Sequence, residues 1–150
     1  MSERIIGLDP GERRIGVAIA DPTGTIASPD RYIDTRTHEP FEAIAQLCRE
    51  LDVATIVVGL PLALDGREGP SAIAARTFGR SVAEATGIAV EYHDERFTSV
   101  TAEQALISGG VRRKKRKEKR DQIAAAVMLQ GYLDSQKYHD GPGHDEPISG

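Results

Sequence analysis

The sequence predicts an α/β protein, a mixed β-sheet with helices on its faces. Three observations carry this. The chain opens with three strand-like segments joined by short turns, the pattern of an antiparallel meander. It then alternates helical and strand periodicity, which implies parallel crossovers. Finally, Thr55-Ile56-Val57-Val58-Gly59-Leu60 is a continuous run rich in β-branched residues, the mark of a strand covered on both faces.

The elements follow in order. Arg4-Ile5-Ile6-Gly7-Leu8 is the first expected strand and Ile15 to Ala20 the second. Asp21-Pro22-Thr23-Gly24 is a turn signal, with proline second and glycine fourth. Thr25 to Ile33 is a third, less regular strand. Phe41, Ile44, Ala45, Leu47, Cys48 and Leu51 recur at helical spacing, with Thr37 as cap and Pro40 tolerated in the first turn. After the buried strand, Leu64 to Pro70 is a loop. Ser71 to Thr86 is an alanine-rich helix stopped by Gly87. Ile88 to Tyr92 is the fifth strand. Thr98 or Ser99 caps a helix through about residue 107, which ends at Gly109-Gly110. A last helix runs from Ile123 to Leu133. The order is βββαβαβαα, without internal repeats. Residues 1–136 are expected to form one domain, and the polar residues 137–150 a disordered tail.

Composition agrees. A chain of 150 residues supports one domain with its own core. It is 39% hydrophobic and 28% charged, which fits a globular protein and not a disordered or fibrous one. No stretch approaches the roughly 18 continuous apolar residues of a membrane helix. The N-terminus runs directly into a strand, so no secretory signal is expected. Cys48 is the single cysteine, which excludes an internal disulfide and a multi-thiolate metal site. A cytoplasmic location and no membrane partner are expected.

The charge is unevenly spread. The net value is -4, yet Arg112, Arg113, Lys114, Lys115, Arg116, Lys117, Glu118, Lys119 and Arg120 together carry +7, leaving -11 for the rest. A dense basic strip on an acidic body suits a polyanion such as nucleic acid, and equally a solvated surface loop.

Acids at the ends of elements are the candidates for chemistry. Asp9 closes the first strand ahead of Pro10-Gly11, a tight turn that brings backbone close to whatever binds; Asp-Pro-Gly is also ordinary turn chemistry. Asp94 and Glu95 follow the fifth strand. Adjacent residues on a strand face opposite ways, so only one of them is expected to reach a shared site. Asp121 stands at the foot of the last helix, in register with Ala124, Ala125 and Met128; an acid favoured there by the helix macrodipole is an equal reading. Three such carboxylates converging on one sheet edge suit Mg²⁺ or Mn²⁺, which prefer oxygen ligands and accept phosphate oxygens. A pair of such ions activates water for phosphodiester hydrolysis. The basic strip would hold the phosphate backbone.

Four segments carry a family resemblance. Gly7-Leu8-Asp9-Pro10-Gly11 with Arg14-Ile15-Gly16-Val17-Ala18 resembles the first motif of the YqgF (RuvX-like) family. Val57-Val58-Gly59-Leu60-Pro61-Leu62 with Asp65-Gly66 and Glu68-Gly69 resembles the second. Asp94-Glu95-Arg96 resembles the third, and Asp121-Gln122-Ile123-Ala124-Ala125 with Leu129-Gln130 the fourth. The match runs from about Arg4 to Leu133. Members are described as candidate Holliday junction resolvases and candidate nucleases maturing the 5′ end of pre-16S ribosomal RNA, with a ribonuclease H-like fold. The resemblance implies that Asp9, Glu95 and Asp121 hold Mg²⁺ or Mn²⁺, two ions in all. It makes Arg14, Arg67 and Arg96 phosphate contacts, with surface salt bridges an equal reading for Arg14 and Arg67. It implies that Gly59-Leu60-Pro61 shapes the floor of the site. Ala63 stands where members often have Asn, Phe97 replaces a commoner Leu, and Ser99 a commoner Thr; none of these removes a metal ligand.

The expected activity is a metal-dependent nuclease acting on structured RNA or branched DNA. Symmetric junction resolution would favour a homodimer. A non-catalytic ribosome-assembly or transcription-associated factor is the second reading, since fold does not fix function. A nucleotide phosphotransferase is a third, disfavoured because that superfamily needs two such domains. Cys48 is expected in the core in preference to a redox role, and His93 as a plain loop histidine in preference to an aid to proton transfer beside the acids.

Overall fold

The computed structural model describes residues 4–11, 13–94 and 113–140, with side chains in the last segment described for 123–136. The chain runs β1 (Arg4–Pro10), β2 (Arg14–Ala20), β3 (Ala27–Asp34), α1 (Pro40–Leu51), β4 (Val53–Leu60), α2 (Pro70–Thr86), β5 (Ala89–Asp94) and α3 (Arg113–Asp140). The five strands form one sheet in the order β3-β2-β1-β4-β5. The β1/β2 and β2/β3 pairs are antiparallel, while β1/β4 and β4/β5 are parallel. The expected meander followed by parallel crossovers is what forms. The helix expected over residues 98–107 lies outside the described residues.

Two cores lie on the two faces of the sheet. On one face, α1 and α2 cover Ile6, Leu8, Val17, Ile56 and Val58 with Ile44, Leu47 and Val82. On the other, α3 covers Ala18, Ala20 and Val57 with Ala125, Met128 and Leu129. β4 therefore contributes to both, Ile56, Val57 and Val58 being 0% exposed, as its unbroken apolar run requires.

Local chemistry moves some boundaries. β3 begins at Ala27 because the Asp21 carboxylate accepts the backbone N–H groups of Thr25 and Ile26, both at 2.8 Å, and keeps them in the turn. These bonds, Ile26 first, then the Thr23 hydroxyl and Thr25, bring the Asp21 carboxyl down to about 2. The cap of α1 is Glu39 and not Thr37. Pro40 occupies the first helical turn, and the Glu39 carboxylate accepts the N–H groups of Glu42, at 2.9 Å, and Phe41. Thr37 instead closes a turn onto the Asp34 carbonyl. Gly87 ends α2 in the left-handed conformation at φ 72°.

The largest difference is α3. It starts at Arg113, not Ile123, so the basic strip from Arg113 to Arg120 is helical and not a surface loop. Lysine and arginine are good helix formers, and neither glycine nor proline interrupts the chain between Val111 and Gln130. The helix continues past Leu133 to Asp140, and Gly141-Pro142 follows in the sequence.

Candidate active site

Because β1, β4 and β5 are parallel, their carboxyl ends share one edge of the sheet. Asp9 lies at that edge. In the antiparallel ladder it pairs with Gly16. On the parallel side Leu8 pairs with Val58, so Asp9 one residue on comes level with Gly59, which pairs in turn with His93. Both neighbours of Asp9 across the sheet are thus glycines. Glycine inside a strand marks a place where a ligand or another chain comes close.

Strand alternation sets which face these residues share. Gly7 lies under α3, where an added Cβ would stand 3.0 Å from the Leu129 Cβ and 3.2 Å from the Met128 Cε. Asp9, two residues on, faces the same way. On β5, the Tyr132 hydroxyl of α3 donates to the Glu91 Oε1 at 2.9 Å. The His93 ring meets Tyr132 edge-on at 6.3 Å between centroids. Its Nε2 lies where a Cβ on Gly131 would come within 2.9 Å. His93 is therefore packed beneath α3 and is not a plain loop histidine. Burial lowers its pKa, against the opposing charge of Asp94. Burial and then the Glu91 acceptor push the Tyr132 hydroxyl up to about 12, so it remains a donor. Asp94 has the parity of Val90 and Tyr92, which pack on the α1/α2 side.

The other candidates are placed less fully. Glu95, Arg96 and Arg112 lie outside the described residues. The Asp121 backbone is on α3, four residues before Ala125, a residue 0% exposed. The side chains of Asp121, Arg113, Lys114, Lys115, Arg116, Lys117, Lys119 and Arg120 lie outside the described residues. Among the described residues no group of three possible metal ligands comes together. Asp9 is the one member of the acid trio whose side chain is described.

Two arginines have partners. The Arg14 guanidinium lies 5.0 Å from the centroid of the Tyr32 ring. It is also at the carboxyl edge, since β2 begins where β1 ends. Arg67 binds Asp65 through Nε at 2.6 Å, with its side chain 81% exposed. That loop follows β4 at the same edge. A cavity of about 410 Å³ opens there, lined by Pro10, Gly11, Gly59, Pro61, Ser71, Ala74 and Ala75. Gly59 and Pro61 thus line this cavity together with α2, whereas Leu60 between them is 6% exposed and belongs to the core. Cys48 is 2% exposed, and burial lifts its thiol to about 11, in keeping with a packing role.

Two features escaped the sequence reading. One is the pair of glycines flanking Asp9, since their pairing depends on strand register. The other is the partner of Gln130, a residue of the fourth motif whose carboxamide reaches the β2–β3 turn.

The meander-then-parallel sheet, with an aspartate ending its first strand and a helix across that face, defines a ribonuclease H-like α/β protein. Two solved structures share the fold. One is Thermus thermophilus RuvC in complex with Holliday junction substrate, with TM-score 0.55 and 14% identity over 89% of this chain and 95% of that one. The other is the fowlpox virus Holliday junction resolvase, with TM-score 0.52 and 14% identity over 88% and 99%. Residues 3–135 match the family model described as RuvX, Holliday junction resolvase, and the chain belongs to that family. A Chloroflexus aggregans relative named as a candidate pre-16S rRNA nuclease is 48% identical over 90% of this chain and 96% of its own. A Lactococcus lactis relative of the same name is 43% identical over 90% and 96%.

Proposed function

We propose that this protein is a metal-dependent nuclease that hydrolyses phosphodiester bonds of structured nucleic acid. Its substrate is the 5′ extension of pre-16S ribosomal RNA, with branched DNA as the second class. The observation that carries this is Asp9, at the carboxyl edge of three parallel strands, with Gly16 and Gly59 on either side and a family-matched helix across its face. Family membership and the names of the relatives support the same reading.

The donor set fits a hard divalent cation. Asp9 offers carboxylate oxygens between two strand neighbours, Gly16 and Gly59, that carry no side chain. Glu95 follows the last residue of β5 in the sequence, and Asp121 comes from α3 itself. These three would hold Mg²⁺ or Mn²⁺, two ions in the full site. When bound, the metal supplies a water of lowered pKa and stabilises charge on the phosphate. The chain's own residues do the rest. Glycines at 16 and 59 place no side chain between the sugar-phosphate backbone and Asp9 on the neighbouring strands. Arg14 and Arg67 at the edge, together with Arg96, would offer phosphate contacts, and the basic strip Arg112 to Arg120 would attract the polyanion without reading sequence. In the reaction a water oxygen forms the new bond to phosphorus, the bond to one strand oxygen breaks, and that oxygen takes a proton. Among the described residues no helix is long and apolar enough to cross a membrane.

The test is cleavage of two labelled substrates, a pre-16S RNA bearing its 5′ extension and a four-way DNA junction, each with Mg²⁺ and with Mn²⁺. Metal-dependent cleavage is expected, at least a hundredfold slower in Asp9→Asn. Cleavage that survives unchanged in Asp9→Asn refutes the assignment of the site. Binding of both substrates without cleavage by either protein refutes the enzyme and favours an assembly factor.

A further inference from the structure

We propose that Gln130 is a positioning residue that fixes the rotation and rise of α3 over the sheet, and so sets where Asp121 meets Asp9. This rests on the reading above that these acids hold divalent metal. A site shared between a strand and a helix needs the helix held in one register. The sheet-facing side of α3 is apolar (Ala125, Met128, Leu129), and apolar contact is non-directional. It resists separation more than sliding or rolling.

Gln130 supplies direction. Its Oε1 accepts the Ala27 N–H at 2.9 Å, and its Nε2 donates to the Thr25 carbonyl at 2.8 Å. Its second amide proton reaches the Asp134 Oδ1 at 3.0 Å. The socket is stiff: Asp21 Oδ1 holds the N–H groups of Thr25 and Ile26, and the Asp21 N–H donates back to the Ile26 carbonyl at 2.9 Å. Two residues on, Tyr132 donates to Glu91 on β5, at the opposite edge of the sheet. Gln130 is thus tied toward β3 and Tyr132 toward β5. Rolling the helix either way breaks one of these bonds.

The lever is long. Asp121 precedes Gln130 by nine residues, about 13.5 Å along the axis. A roll of about 20° carries a group at a radius of about 5 Å through nearly 2 Å. Misplacement by about 1 Å is enough to cost a hundredfold in rate.

The experiment measures Mn²⁺ uptake by the full chain, from the paramagnetic resonance of free Mn²⁺, alongside thermal melting and cleavage. Gln130→Met keeps the length and removes both backbone bonds. It is expected to bind Mn²⁺ about tenfold more weakly and to cleave about a hundredfold more slowly, at temperatures where melting shows it folded. Gln130→Glu keeps the acceptor for Ala27 and loses the donor to Thr25, and is expected to fall between Gln130→Met and the parent. It carries the test if Gln130→Met does not fold. Gln136→Met, an exposed site on the same helix, serves as the control and is expected to match the parent. Parent-like Mn²⁺ affinity in a folded Gln130 variant overturns the positioning role, even if the melting temperature falls. Absence of Mn²⁺ uptake by the parent protein overturns the metal-site reading itself, and the positioning role with it.

Discussion

Gly7→Ala tests how closely α3 sits on the sheet. The added Cβ would lie 3.0 Å from the Leu129 Cβ, 3.2 Å from the Met128 Cε and 3.5 Å from the Leu129 Cδ1. Carbon atoms prefer about 3.5–4.0 Å, so the nearest contact is short by about 0.5 Å or more. Met128 can swing its terminal methyl aside. The Leu129 Cβ cannot move without the helix backbone. Overpacking of this kind costs about 1–3 kcal/mol. Replacing glycine by alanine returns about 0.4–1 kcal/mol through the unfolded chain. Taken from the middle of both ranges, the net loss is about 1.3 kcal/mol, or a fall of about 3–5 °C in Tm at this size. Trimming Leu129 to Ala does not rescue it, because alanine keeps the obstructing Cβ. Cleavage is expected to fall at least tenfold, since the lifted helix carries Asp121 away from Asp9. The assay is a melting curve with a cleavage rate measured well below Tm. A Tm that is unchanged or raised refutes the close seating of α3. A lowered Tm with parent-like cleavage refutes the claim that this seating aligns the site.

Two further outcomes are expected. The Asp21 carboxyl is held down to about 2 by the turn it closes, below its unfolded value. Its stabilisation is therefore complete above about pH 4 and lost as pH falls toward 2. Asp21→Ala should narrow the difference in Tm between pH 6 and pH 2.5; a difference equal to that of the parent contradicts this. Replacing Lys114, Arg116 and Lys117 with Gln should flatten the slope of log affinity against log salt by about 2–3, as roughly 0.7–0.9 is lost per phosphate contact. An unchanged slope in filter binding means that these turns do not meet the nucleic acid.

Much of the fold was legible because it rests on local periodicity. The β-branched run around Val57 announced a doubly covered strand, and Ile44, Leu47 and Cys48 at helical spacing announced α1. Misreadings came where a local preference met a competing contact. Thr37 is a good capping residue, but Pro40 places the helix start next to Glu39. Thr25 and Ile26 read as strand, but the Asp21 carboxylate claims their amides. The basic strip gave no sign of a helix because an all-charged run shows no apolar period to mark one. Of the site, Asp9 at a strand end was legible from Asp-Pro-Gly. Its glycine neighbours were not, because residues 16 and 59 come together through sheet register alone. The role of Gln130 was hidden for the same reason, its partners being more than a hundred residues away in the chain.

The two faces of the sheet divide the work. Residues facing α1 and α2 are large and fully packed: Ile6, Leu8, Ile15, Val17, Ile56, Val58 and Leu60. Residues facing α3 near the carboxyl edge are small or polar: Gly7, Asp9, Gly16, Ala18 and Gly59. Glycine weakens a strand, so three glycines around one aspartate oppose the stability of β1, β2 and β4. The opposite face supplies the burial that offsets this. Local preference and global structure conflict on one face only, and such conflicts concentrate at functional sites. Substitutions should separate accordingly. Shortening Ile56 or Leu8 removes packing and lowers stability by about 1–5 kcal/mol. Adding a methyl at 16 or 59 puts a side chain beside Asp9. It should therefore reduce cleavage by more than its effect on Tm would account for.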